Sequence, residues 1–131
     1  HHLQDAIQTG TQIVNNQVEF HPSFSQTELL GWCREQGIHL TAYSPIGQGA
    51  DLKIPEVESL SQKYSCSPAQ VVLAWLRQIE VIAIPRSADE KHIEDNFQSL
   101  KITLEESDLA IMNSLNRGNR QLDREFSDFN Y

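Results

Sequence analysis

The sequence predicts an α/β fold of parallel βαβ units, and three observations lead there. Short β-branched segments alternate with amphipathic ones along the chain, which favours a parallel sheet over a bundle or a sandwich. The segment from Val81 to Ile84 is apolar at every position, as expected of a strand covered on both faces. The length of 131 residues supports one domain with a real core and matches half a barrel, since an ordinary (β/α)8 barrel needs roughly 250 residues. Three strands in parallel leave open edges, so further strands are expected from an upstream segment, a second copy or a partner chain.

Taken in order, the elements are as follows. LQDAIQTG reads as the end of a helix closed by Gly10, with Leu3, Ala6 and Ile7 on one face. TQIVNNQVEF is β-branched, runs into His21-Pro22 and reads as a buried strand, because proline resists continuing the ladder. Ser25 to Glu28 form an S-x-x-E capping box for a helix with Leu29, Leu30 and Cys33 on one face, ended by Gly37. The pattern then recurs: strand IHLTAYSP, the glycine-containing loop IGQGA, and a helix on which Val57, Leu60 and Tyr64 align. Ser67-Pro68 opens a further helix, whose Val72, Trp75, Leu76 and Ile79 fall at helical spacing. After strand VIAIP, capping boxes at Ser87 to Glu90 and Thr103 to Glu106 predict two more helices. From Asn116 the chain is polar and irregular, and no repeat or low-complexity linker divides residues 1–131 into more than one domain.

Composition narrows the function classes. The 18 acidic against 10 basic residues give a formal net charge of −8, which argues against a nucleic-acid partner. No apolar run approaches the ~20 residues needed to span a bilayer. Cys33 and Cys66 are far apart, with neither CxxC spacing nor a disulfide framework, and no signal-peptide pattern is visible. These features predict a cytoplasmic protein without a membrane partner. No cluster of His, Cys, Asp and Glu has metal-ligand spacing, so no metal is expected.

Three segments, VNNQVEFHP, AYSPIGQG and IPRSADEKHIEDN, stand at the ends of three successive strands, where barrel enzymes build their sites. In order and spacing they resemble landmarks of the aldo-keto reductases, particularly the bacterial diketogluconate reductase type. The resemblance covers nearly the whole chain. It implies a (β/α)8 TIM-barrel fold of which this chain is roughly the C-terminal half: the last three β/α units, a C-terminal helix and a tail. It also implies an oxidoreductase that reduces aldehydes or ketones by hydride transfer from NADP(H), with the cofactor extended across the barrel mouth. A Rossmann fingerprint is not expected, and Gly47-Gln48-Gly49 lacks the third glycine and the following helix of one.

Carried over residue by residue, the resemblance assigns a cofactor site. Gln17 matches the position whose amide hydrogen-bonds the nicotinamide carboxamide, which requires donor and acceptor on one group. An amide interrupting an apolar strand is costly unless paired, which agrees with that role, although a bonded strand amide would explain it too. Tyr43 matches the aromatic stacked on the nicotinamide face. Ser44, Ile46, Gly47 and Gln48 fall in the loop lying along the pyrophosphate. Arg86 and Ser87 match the residues at the adenosine 2′-phosphate, where a fixed charge sits beside exposed helix N–H groups. Ser87 also reads as a plain N-cap. Asp95 and Asn96 match the adenine-contacting pair and are otherwise ordinary polar helix residues.

Two departures matter. Arg86 replaces the family's usual lysine and grips a phosphate bidentately, which favours NADPH. The second cation usually found one turn onward is here His92, with Asp89 and Glu90 close by. One arginine and a histidine imply NADPH preferred and NAD(H) also accepted. His21 is read as structural, because the family's active-site histidine precedes a Trp-Pro pair absent here, and His39 as a strand residue.

No catalytic residue is assigned within this chain. The tyrosine, lysine, aspartate and histidine of the family's proton-transfer machinery belong to the N-terminal half, so the chain by itself is expected to be inactive. Its expected partners are that missing half and a small carbonyl substrate. Phe126, Phe129 and Tyr131 in the tail match the variable substrate loop. An alternative is a non-catalytic, aldo-keto-reductase-like regulatory subunit that keeps the cofactor pocket. Another is an unrelated (β/α)8 enzyme with a generic phosphate site, which gives no role to Gln17 or Tyr43.

Overall fold

The computed structural model describes residues 2–122. Strands β1 (Asn15–Glu19), β2 (His39–Tyr43) and β3 (Val81–Ala83) form one parallel sheet in the order β1-β2-β3. Glu19 pairs with Tyr43, and Ala42 with Ala83, so all three strands end at the same side of the sheet. Helices α1 (His2–Gln8), α2 (Thr27–Glu35), α3 (Pro55–Lys63), α4 (Pro68–Gln78), α5 (Glu90–Gln98) and α6 (Glu106–Asn113) connect and flank them. The loop IGQGA and the DLK that follows it wind into two 3-10 turns, Gly47–Gly49 and Asp51–Lys53.

The core lies between the sheet and α2, α3 and α4. Side chains alternate across a strand, so Leu40, Ala42 and Val81 point to the helical side, and all three are buried. Helix α4 runs through the middle: every residue from Gln70 to Leu76 is buried, well beyond the single stripe its spacing predicts. Trp75 stacks on Phe20 with ring centroids 5.9 Å apart, and its indole N–H donates to Asn113 at 2.8 Å, which ties α6 to α4. Lys63 and Tyr64 bond Asp108, and Lys63 also pairs with Glu105, fastening α3 to the start of α6.

Several local expectations are corrected. β3 is not covered on both faces: Ile82 is 50% and Ile84 45% exposed. Gln17 likewise lies exposed, not in a buried strand. The reason is common to both, because three strands cannot curl far enough to cover their own inner face, and this face carries Asn15, Gln17, His39 and Ile82. The three predicted capping boxes do not form. Helix α2 starts one residue after Gln26, and the buried Ser25 hydroxyl has no hydrogen-bond partner among the described residues. The N-cap of α5 is Asp89 and not Ser87, and α6 begins after Glu105 without a side-chain cap. The helix starts two residues beyond Ser25 and three beyond Ser87 and Thr103, so the hydroxyl no longer faces the free N–H groups of the first turn.

Candidate functional site

Parallel pairing in register brings the C-terminal ends of the three strands together as one mouth. Tyr43 closes β2 opposite Glu19, Gln17 lies two residues before Glu19 on the same face, and the chain leaves β3 through Ile84, Pro85 and Arg86. Pro85 has no N–H to continue a ladder, which ends the strand there. Ser44, directly after β2, has φ of +49°, a left-handed conformation unusual for a serine. Gln48 has φ of +51°, so the backbone is twice forced out of its ordinary regions in the loop above the sheet.

Beyond β3 the chain forms a compact corner. The Ser87 hydroxyl accepts from the Asp89 N–H at 3.2 Å, and the Asp89 carboxylate accepts from the His92 N–H at 3.1 Å, starting α5. Asp89 therefore turns its charge onto its own helix terminus. A cleft of about 270 Å³ opens beside this corner and collects Ile46, Arg86, Ser87, His92, Asp95 and Asn96. Arg86 and His92 are exposed at it. The other expected site residues, Gln17, Tyr43, Ser44, Gly47 and Gln48, lie outside the cleft, on the strand ends and the loop after β2.

Ser67, not foreseen as a site residue, forms the cleft wall with Pro68. Its hydroxyl accepts from the Gln70 N–H at 3.2 Å and donates to the Asp95 carboxylate at 2.5 Å. Gln70 completes the box, accepting from the Ser67 N–H at 3.0 Å, and its amide donates to the Asp95 carbonyl at 2.9 Å. The N-terminus of α4 thus fixes α5, and one carboxylate in the cleft is already engaged by protein. The S-x-x-Q pattern of Ser67 and Gln70 was the available signal.

A larger groove of about 740 Å³ runs along the β3 edge and α5. It is apolar, with Val81, Ile82, Ile93, Phe97 and Leu100 among its lining residues, and Phe97 is 66% exposed. Among the described residues no group of three or more His, Cys, Asp and Glu side chains is arranged to hold a metal, and no helix is long and apolar enough to cross a membrane. Phe126, Phe129 and Tyr131 lie outside the described residues.

The model of the aldo/keto reductase family matches residues 1–117. Among curated proteins, the uncharacterized oxidoreductase YtbE of Bacillus subtilis is 38% identical over 122 residues, covering 92% of this chain and 43% of that protein. Glyoxal reductase of the same organism is 36% identical over 121 residues, covering 92% and 44%. The chain therefore spans less than half the length of these relatives. Among solved structures, a variant of Gox0644 in complex with NADPH superposes with a TM-score of 0.87 at 29% identity, over 96% of this chain and 47% of that one. The aldo-keto reductase MGS-M4 from a deep-sea metagenome library gives 0.89 at 29% identity, over 100% and 50%.

Proposed function

The chain belongs to the aldo/keto reductase family, and from that premise we propose that it is the C-terminal, cofactor-holding half of an NADPH-dependent carbonyl reductase built as a (β/α)8 barrel. The observation that carries this reading is the cleft after β3, where Arg86, Ser87 and His92 meet at the start of α5. A guanidinium beside a helix N-terminus recognises a phosphate by two parallel hydrogen bonds and by the helix dipole. The 2′-phosphate of NADPH fits there, with the adenine toward Asp95 and Asn96. Asp95, engaged by Ser67, has less capacity left for the base than Asn96.

From that anchor the dinucleotide runs along Ser44, Ile46, Gly47 and Gln48 to the mouth, where Tyr43 stacks on the nicotinamide and Gln17 bonds its carboxamide. The exposure of Gln17 on the open inner face agrees with that role. Because His92 is a weaker cation than arginine, NADH is accepted as the poorer cofactor. The NADPH-bound neighbour supports the choice of cofactor.

Hydride transfer to a carbonyl requires a proton donor, and the family's tyrosine, lysine, aspartate and histidine are assigned to the N-terminal half. That half also answers the open edge: the apolar surface of Ile82, Ile84, Phe97 and Leu100 is where further β/α units close the barrel. The two free cysteines, Cys33 and Cys66, agree with a reducing compartment such as the cytoplasm. The substrate is a small aldehyde or ketone, and the glyoxal reductase relative makes α-dicarbonyls the first to assay. NADPH oxidation with glyoxal and simple aldehydes tests the proposal. The complete protein carrying this chain turns over, whereas residues 1–131 alone do not. A complete protein that binds NADPH and reduces no carbonyl would instead be a cofactor-binding subunit.

A further inference from the structure

The end of β1 carries a string of buried charge that cofactor binding leaves unexplained. Glu19 and His21 are 2% and 0% exposed, and Asp51, itself 2% exposed, reaches His21 from the second 3-10 turn. The imidazole stands between two carboxylates: Nδ1 lies 2.8 Å from Asp51 Oδ2 and Nε2 lies 3.1 Å from Glu19 Oε1. With a carboxylate at each nitrogen, the surroundings favour the doubly protonated ring, in which both nitrogens donate. Burial works against that charge, but the hydrogen bonds to Asp51 and Glu19 and their charges together raise the His21 pKa.

Each carboxylate has further partners. Asp51 accepts from the Ser23 N–H at 2.8 Å and the Ser23 hydroxyl at 2.7 Å. Glu19 accepts from two consecutive backbone N–H groups at the base of the tail, Gln121 at 2.6 Å and Leu122 at 3.0 Å. The Ser23 carbonyl accepts from the N–H groups of Arg117 and Asn119 at 3.0 and 3.1 Å. The string thus starts in the loop after β2 and ends on the C-terminal segment.

We infer that Glu19, His21 and Asp51 form a positioning relay through which the loop over residues 47–53 sets the order of the C-terminal segment 117–122. As a device for the reaction it rests on the reading of that loop as the pyrophosphate loop. Removing any one group leaves a buried charge without its partner, so the string holds or fails as a unit. The loop is wrapped tightly on one end of it. Gly47 is buried with φ of +55°, and a Cβ there would lie 2.7 Å from the Asp51 carboxyl group. A dinucleotide that pins Gly47 and Gln48 pins Asp51, then His21, then Glu19 and the amides of Gln121 and Leu122. Cofactor binding thereby orders the chain leading into the tail, where the substrate-side wall is expected.

Hydrogen–deuterium exchange of the complete protein tests the relay, following peptides over 47–53, 117–122 and, as a control for the fold, 68–78. In Asp51→Asn, exchange in both 47–53 and 117–122 rises roughly tenfold while 68–78 stays protected. Ser23→Ala, which keeps all three charges, gives the same pattern with a smaller rise, and it decides the matter if Asp51→Asn does not fold. NADPH slows exchange in both segments of the unmodified protein, but only in 47–53 of the variants. Tail protection unchanged in the variants while 47–53 loosens would overturn the relay. The comparison without cofactor decides the relay by itself, and failure of NADPH to bind the unmodified protein would count against the cofactor reading separately.

Discussion

His21 shows how a single side chain changes meaning once its surroundings are known. In the sequence it is a histidine before a proline, read as structural; the fold buries it between two carboxylates. Glu19 is two residues away, but Asp51 is thirty, so only the fold brings it close. The consequence is measurable. His21→Leu should destabilise the complete protein by ~3 kcal/mol or more, because it strands two buried carboxylates. The pH dependence follows from the directions of the shifts. The Asp51 pKa is lowered: burial opposes the charge, but the His21 and Ser23 hydrogen bonds outweigh it, so its stabilisation holds above 3.8 and is lost as pH falls. The His21 pKa is raised, so its stabilisation holds below 6.5 and is lost as pH climbs through the folded value. Thermal melts across pH should therefore show this part of the stability greatest between those two values and lost on both sides, with the alkaline loss missing in His21→Leu. Tyr43 offers a test of the other kind. Its replacement by alanine should weaken nicotinamide cofactor binding by ~1 kcal/mol while leaving the melting temperature little changed, since the side chain is only half-buried at the mouth. Fluorescence titration with NADPH reads it.

At the scale of elements, periodicity was the dependable signal and capping chemistry the unreliable one. All three strands lie where β-branched runs placed them, and Gly10 and Gly37 follow α1 and α2 with φ of +82° and +68°. The S-x-x-E patterns at Ser25, Ser87 and Thr103 misled, because a hydroxyl one or two residues too early satisfies the pattern without reaching the helix. The box that does form, Ser67 with Gln70, belongs to the most buried helix and does two jobs, since both side chains also bond Asp95. Ser67→Ala should cost ~1 kcal/mol of stability for the lost cap. It should also release the Asp95 carboxylate and alter NADPH affinity. Ser67→Thr, which keeps the hydroxyl, should restore both. A melting curve and a cofactor titration on the two variants check this, and loss of stability with unchanged affinity would confine Ser67 to capping.

For the whole molecule, the parallel order and the shared mouth were legible because βαβ units admit few arrangements. What sequence did not convey was how much of the sheet lies open. An apolar run such as Val81 to Ile84 reports the environment of a closed barrel, and three strands supply only its helical side. The cleft after β3 was half legible. Arg86, Ser87, His92, Asp95 and Asn96 were marked by one contiguous motif, whereas Ser67 and Ile46 join them only through folding. On the proposed reading, this cleft grips the 2′-phosphate of NADPH. The most direct measurement is the ratio of NADH to NADPH dissociation constants for the complete protein and for Arg86→Ala and His92→Arg. The ratio should fall toward one in Arg86→Ala, with NADH affinity little changed. In His92→Arg it should rise about tenfold, the ~1.4 kcal/mol of one charge-assisted contact. A ratio unmoved by either substitution would show that the phosphate is bound elsewhere.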